Sequence, residues 1–189
     1  MCFNFDDDDK RDHDSDTTAA AYLDLTKYDP SRASAAVSLP LQVIHLSLGN
    51  GVEPECILDG GAQIIVMRRD IWEQLRVPII PNRAIPMESA NATTSMTLGL
   101  IEDQPAQLGP IAFNLQIQVV DSAPFEVLLG RPFFDVTSCE EVSHVGGHHE
   151  IRLHDPKNGT AYVFPTQPRL PKTQRDRPSN SGAAVNFRL

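Results

Sequence analysis

From Leu39 onward, apolar and polar side chains fall into short runs with the period of strands rather than of helices. Leu41, Val43, His45 and Ser47 alternate with Gln42, Ile44, Leu46 and Leu48, and the run ends at Gly49-Asn50-Gly51, a strong turn signal. Val52 to Leu58 then returns as the second arm of a hairpin and leads into Asp59-Gly60-Gly61. Gln63 to Met67 is a short apolar run of the kind expected for a buried strand. Arg68 to Leu75 reads as a short helix with Ile71, Trp72 and Leu75 on one face, ended by Pro78 and Pro81. Residues 82 to 110 carry few large apolar groups, and the expectation there is a mobile loop over a site.

The pattern resumes at Phe113 to Val119, which alternates strictly and predicts a half-buried strand with Asn114, Gln116 and Gln118 on the wetter face. Val127 to Leu129 is shorter and wholly apolar. Gly130 breaks it, and Pro132 can open a helix running to about Asp135. Glu150 to His154 and Thr160 to Phe164 flank Asp155-Pro156-Lys157-Asn158-Gly159 and predict a further hairpin. The periodicity therefore confines the folded domain to residues 36–165. It leaves residues 1–35 as a disordered acidic segment and 166–189 as a disordered, Pro-rich basic tail.

Composition sharpens this picture. The chain has 189 residues, which suits one domain with tails, and its aromatic content is only 6% against 15 Pro and 11 Gly, a mix that favours strands and turns. Charge is unevenly placed: residues 1–30 hold nine Asp against Lys10, Arg11 and Lys27, whereas residues 165–189 hold five basic side chains against Asp176. The stretch between is itself acidic, which argues against nucleic-acid binding by the folded domain, because phosphate recognition needs clustered Lys and Arg. Cys2, Cys56 and Cys139 are odd in number and none has the spacing of a paired motif, so reduced thiols in an intracellular, cytoplasmic setting are expected. No apolar run approaches the roughly 18 residues of a membrane span, and the acidic amino terminus is unlike a signal peptide; no membrane association is expected.

The chemistry lies in two segments. In Ile57-Leu58-Asp59-Gly60-Gly61-Ala62-Gln63-Ile64-Ile65 one carboxylate sits in a glycine turn between apolar runs. In Phe125-Glu126-Val127-Leu128-Leu129-Gly130-Arg131-Pro132 an apolar run ends in a glycine followed by a cation, and that glycine lies 71 positions beyond Asp59. Together they resemble the active-site signatures of a retropepsin-like aspartic protease, and the protease segments of gypsy-like retroelement polyproteins most of all. The resemblance covers roughly residues 36–165. It implies an all-β, acid-protease closed barrel with one or two short helices, forming a homodimer, and an endopeptidase that cleaves a peptide or polyprotein substrate.

Peptide hydrolysis without a metal or a covalent nucleophile can be run by two carboxylates that share one proton. This chain offers one such Asp, and a symmetric homodimer brings Asp59 together with its copy, as the resembling family does. On this reading Asp59 is catalytic. Gly61 lets the backbone close under the carboxylate, Ala62 is small enough to lie beside substrate, and Gly60, Leu129, Gly130 and Arg131 shape the site. Residues 87–98 become a flap over bound peptide, with Asn91, Ala92, Thr93 and Thr94 near its tip. No cofactor or metal is called for.

Two positions depart from the family pattern. Where the family has Ser or Thr after the catalytic Asp, this chain has Gly60, and a hydroxyl that locks the turns across the dimer is missing. Where the family pairs an acid four residues after the Asp with the later Arg, this chain has Gln63 and Arg131, expected to lie within hydrogen-bonding reach of each other. Gly60 therefore keeps open an alternative: a protease-derived dimer that binds or assembles peptides without hydrolysing them. A plain Asp-Gly turn is the bland reading of Asp59. Cys139, His144, His148, His149 and His154 form the one metal-like grouping, on a stretch without fixed geometry, and no metal site is assigned there.

Overall fold

A strand that enters the Asp59 turn and the strand that leaves it do not pair with each other; a third strand is inserted between them, and this arrangement organises the molecule. In the computed structural model, residues 30–31, 33–88, 94–145 and 147–170 are described. Contacts divide the chain into Met1–Val37 and Ser38–Leu189. The few described residues of the first unit form a turn and irregular chain.

The second unit is mostly β. Its strands are β1 (Gln42–His45), β2 (Glu55–Leu58), β3 (Ile65–Arg68), β4 (Pro86–Glu88), β5 (Thr94–Met96), β6 (Gly99–Leu108), β7 (Ile111–Val120), β8 (Val127–Leu129), β9 (Glu140–Ser143), β10 (His149–His154), β11 (Ala161–Pro165) and β12 (Gln167–Pro168). Two short helices, α1 (Arg69–Leu75) and α2 (Arg131–Val136), and a 310 turn at Pro81–Arg83 complete it. The main sheet has the order β12-β1-β2-β8-β3-β7-β6; β11-β10-β9 form a second sheet and β4-β5 a hairpin of their own.

β8 runs parallel to β2, with Cys56 opposite Val127 and Leu58 opposite Leu129, and antiparallel to β3, with Val66 opposite Leu128. Buried among neighbours, β8 has no use for polar side chains, which is why Val127-Leu128-Leu129 is wholly apolar. β7 keeps the strict alternation of its sequence over its first half, with Ile111, Phe113, Leu115 and Ile117 buried. These join Leu46, Ile65, Met67, Leu75, Leu129, Ile151 and Leu153 in one core. Phe133 of α2 sits fully buried in it, edge-on to Phe113 at 5.8 Å and to Phe134 at 5.7 Å between ring centroids.

Three expectations are corrected. The sheet does not close into a barrel: β12 and β6 end its order, and among the described residues β6 is linked back past β1 by a bridge between Ser47 and Gln107 and by the Gln104 side chain on the Leu48 carbonyl. About a third of the segment read as a mobile loop is the strand β6, paired along the length of β7 with a bulge between Ile101 and Gln104. The pattern hid it because Pro105 usually argues against a strand, yet an edge strand tolerates proline, and because the inward position is taken by Gln104, whose Nε2 donates to the Leu48 carbonyl. Likewise Glu140–Ser143, on the stretch read as lacking fixed geometry, pairs with β10 as β9.

Pairing also continues past position 165. Gln167 and Pro168 lie opposite Val43 and Gln42, and Arg169 follows with its N–H on the Leu41 carbonyl at 2.7 Å. The Arg169 guanidinium forms a mostly buried ion pair with Glu55 at 2.9 Å. No helix among the described residues is long and apolar enough to cross a membrane. Truncating the aromatic at the centre of the core, Phe133→Ala, is expected to lower unfolding free energy by about 3–5 kcal/mol in a denaturant titration.

Candidate active site

The turn that carries Asp59 is fixed by backbone bonds at both ends. The Asp59 N–H donates to the Leu129 carbonyl at 3.0 Å, tying the end of β2 to the end of β8. The Asp59 carbonyl accepts the Ala62 N–H at 3.1 Å, and the Ala62 carbonyl accepts the Arg131 N–H at 2.8 Å. The carboxylate is aimed from within the turn: Gly61 N–H donates to Asp59 Oδ1 at 3.0 Å. Asp59 is half-buried, and Oδ2 has no hydrogen bond among the described residues. Asp59 therefore points one oxygen at a backbone donor and keeps the other free of hydrogen bonds among the described residues.

The glycines of the site differ in what they are for. Gly130 lies under the turn, where an added Cβ would collide with the Ile64 carbonyl oxygen and come within 2.6 Å of the Ala62 carbonyl oxygen. Its φ of −88° is ordinary, so glycine is required here for space and not for backbone freedom. At Gly61 a Cβ would stand 3.3 Å from Asp59 Oδ1, crowding the carboxylate. At Gly60 it would meet only the ring of Phe134 at 3.9 Å, ordinary contact, and the residue is exposed. The position where the resembling family has a hydroxyl thus has room for one.

Other expected residues are placed as follows. Leu129 is fully buried and serves through its carbonyl, and Ala62 is half-buried and serves through both of its backbone groups. Gln63 and Arg131 line one open cleft together with Gly60, Pro132, Phe134 and Asp135, but no hydrogen bond joins their side chains among the described residues. The expected Gln63–Arg131 contact is therefore not made; both side chains are exposed, where solvent competes for their polar ends. Of the flap residues, Thr94 begins β5 opposite Glu88, whereas Asn91, Ala92 and Thr93 fall outside the described residues.

Sequence reasoning passed over Phe134, which faces Gly60, and Glu126, whose carboxylate accepts the Glu55 N–H at 2.7 Å. The Glu126 signal was legible: Glu55 and Glu126 are separated by 71 positions, as Asp59 and Gly130 are, because both pairs obey the register of β2 against β8. The His and Cys residues downstream turn to separate partners. His144 Nε2 meets Glu150 at 3.1 Å and His149 Nδ1 meets the Ser143 hydroxyl at 3.0 Å, and no grouping of three metal-ligating side chains exists among the described residues. Burial pushes the thiols of Cys56 and Cys139 up to about 12, with nearby glutamates adding to the effect.

The sequence pattern of the family described as Aspartyl protease matches residues 44–133, a span that opens in β1, contains the Asp59 turn and β8, and ends within α2. Among solved structures, the chain is similar to the retroviral protease-like domain of Ddi1 from Leishmania major, with 13% identity over 55% of this chain and 82% of that one, at a TM-score of 0.47. No curated protein sequence matches the chain. The match to an aspartyl protease family, together with a mostly β architecture carrying two short helices, supports an aspartic-protease-like fold.

Two outcomes test the geometry. Gly130→Ala is expected to lose more than about 3 kcal/mol of stability or fail to fold, since backbone must move to admit the methyl, whereas Gly60→Ala should stay within about 1 kcal/mol, both by denaturant midpoint. Because raised thiol pKa values keep Cys56 and Cys139 protonated well above pH 8, the folded protein should alkylate at both positions far more slowly than the unfolded chain, as mapped by peptide mass spectrometry.

Proposed function

We propose that this chain is an aspartic endopeptidase of the retropepsin type that works as a homodimer on a peptide or polyprotein substrate, in the setting of a gypsy-like retroelement and inside the cell. The observation that carries the reading is the Asp59 turn: a half-buried carboxylate set by Gly61 N–H, on a backbone bonded to β8, inside the span that matches the aspartyl protease family. One such turn per chain supplies half of a two-carboxylate site, and a two-fold axis through it supplies the other half.

In the dimer the two Asp59 side chains share one proton, because like charges so close cannot both ionise. The ionised one takes a proton from water as the water oxygen attacks the scissile carbonyl carbon. The protonated one gives its proton to the carbonyl oxygen. The tetrahedral adduct then collapses, and a proton passes to the departing nitrogen as the C–N bond breaks. The β4–β5 hairpin closes over the peptide and excludes water other than the attacking molecule.

A second reading, a dimer that binds or assembles peptides without cutting them, is favoured by Gly60 alone. The hydroxyl missing there would hold the two turns rigid, and catalysis depends on fixed geometry. The two readings separate in one experiment. The protein is expected to cleave a peptide library at about pH 4 to 6, with cleavage lost in Asp59→Asn and with a dimer mass in solution. Since Gly60 has space for a side chain, Gly60→Ser is expected to raise the rate about fivefold, the worth of roughly 1 kcal/mol of hydrogen bonding. Binding without cleavage in both the parent and the Gly60→Ser protein would favour the assembly module.

A further inference from the structure

The β4–β5 hairpin is joined to the main sheet at Ile85 and Thr97, and the bonds there are more elaborate than hairpin closure needs. Thr97 N–H donates to the Ile85 carbonyl at 3.0 Å, and Ile85 N–H donates back to Thr97 Oγ1 at 2.9 Å, in the place where a second backbone carbonyl would normally serve. The same hydroxyl donates to Gln118 Oε1 at 2.7 Å, and Gln118 Nε2 donates to the Arg83 carbonyl at 3.2 Å. One chain of polar groups thus runs from the hairpin base through a side chain of β7 to the 310 turn.

This network lies inside the molecule: Thr97 is 4% exposed and Gln118 7%. Packing alone would be met by Val and Met of similar size, and buried polar groups add direction where apolar ones add only volume. Just below the network the chain is held firmly. Leu98 N–H donates to the Val119 carbonyl at 2.7 Å, and at Gly99 a Cβ would come within 2.8 Å of the Ile80 carbonyl oxygen. Just above it, Thr94, Ser95 and Met96 are all exposed. The boundary between a buried base and an exposed arm falls on Thr97. Gln118 and Ile85 also line a small cavity with Ile64, Leu100 and Pro132, beside the strand that leaves the Asp59 turn, so the anchor borders the region a peptide would cross.

We propose that Thr97 and Gln118 are positioning residues, a hinge pin between β7 and the β4–β5 hairpin that sets the angle at which the hairpin closes over a bound peptide. This rests on the protease reading, and the test is arranged so that the two can fail separately. Thr97→Val removes the hydroxyl and keeps the shape; Thr97→Ser keeps the hydroxyl; Gln118→Met removes the acceptor. With a cleaved peptide, Thr97→Val and Gln118→Met are expected to raise KM about five- to tenfold with a smaller change in kcat, and Thr97→Ser to restore KM to within about twofold.

Deuterium uptake is measured on the same proteins without substrate. It should rise over the hairpin, residues 85–88 and 94–97, in Thr97→Val and Gln118→Met, and stay at the parent level in Thr97→Ser and over β7 in all of them. If the parent protein and Asp59→Asn alike leave every peptide intact, the protease reading fails, and the uptake pattern alone then decides the hinge. The proposal is overturned if uptake in Thr97→Val is unchanged, if it rises evenly over the whole domain, or if KM is unaffected in a protein that cleaves.

Discussion

The close passage of the Asp59 turn over the end of β8 is the constraint on which the rest of this structure depends. Gly130 comes so near the carbonyls of Ala62 and Ile64 that no side chain fits between them. That approach lets the Asp59 N–H reach Leu129 and the Arg131 N–H reach Ala62, so the turn is held by the strand it crosses and not by its own flanks. A lone Asp-Gly turn at a hairpin tip would be free to fray; this one is bonded to the fully buried Leu129 at the end of β8. β8 in turn is placed by neighbours on both sides, parallel to β2 and antiparallel to β3.

Support for that crossing extends well beyond the matched span. Glu126 holds the start of β2 by accepting the Glu55 N–H, and Arg169 ties the Glu55 side chain to the Pro124 carbonyl, so one guanidinium bridges the entries of both strands that meet at the site. Thr166 works beside it: its N–H and hydroxyl both reach the His149 carbonyl or Gln42, joining the second sheet to the edge of the first. The segment after Phe164 therefore acts as a strap on the strands that carry the Asp59 turn and its support.

Much of this was readable in the order of residues, and for a definite reason. Runs such as Phe113 to Val119 and Val127 to Leu129 are shaped by a single influence, burial on one face or on both, and burial writes itself into periodicity. The pairing of the two functional segments was also present, as the constant spacing of 71 positions that a parallel register imposes. β6 and β9 were hidden because their positions answer to several demands at once: Gln104 faces inward to bond a carbonyl, Asp103 takes a φ of 50° at the bulge, and Glu140 faces Arg152 across an exposed pair. The Gln63–Arg131 contact failed because shared location in a cleft does not oblige two solvated side chains to meet.

Gly60 separates two properties that active sites usually bind together. Nothing in the packing around it depends on its being glycine: its φ lies outside the left-handed region, and among the described residues an added Cβ would meet an aromatic ring at ordinary contact distance. Such a position can change the chemistry beside Asp59 while the fold is untouched, and by one substitution. Natural variation at position 60 can therefore alter the surroundings of the Asp59 carboxylate directly, with no stability debt to repair afterwards.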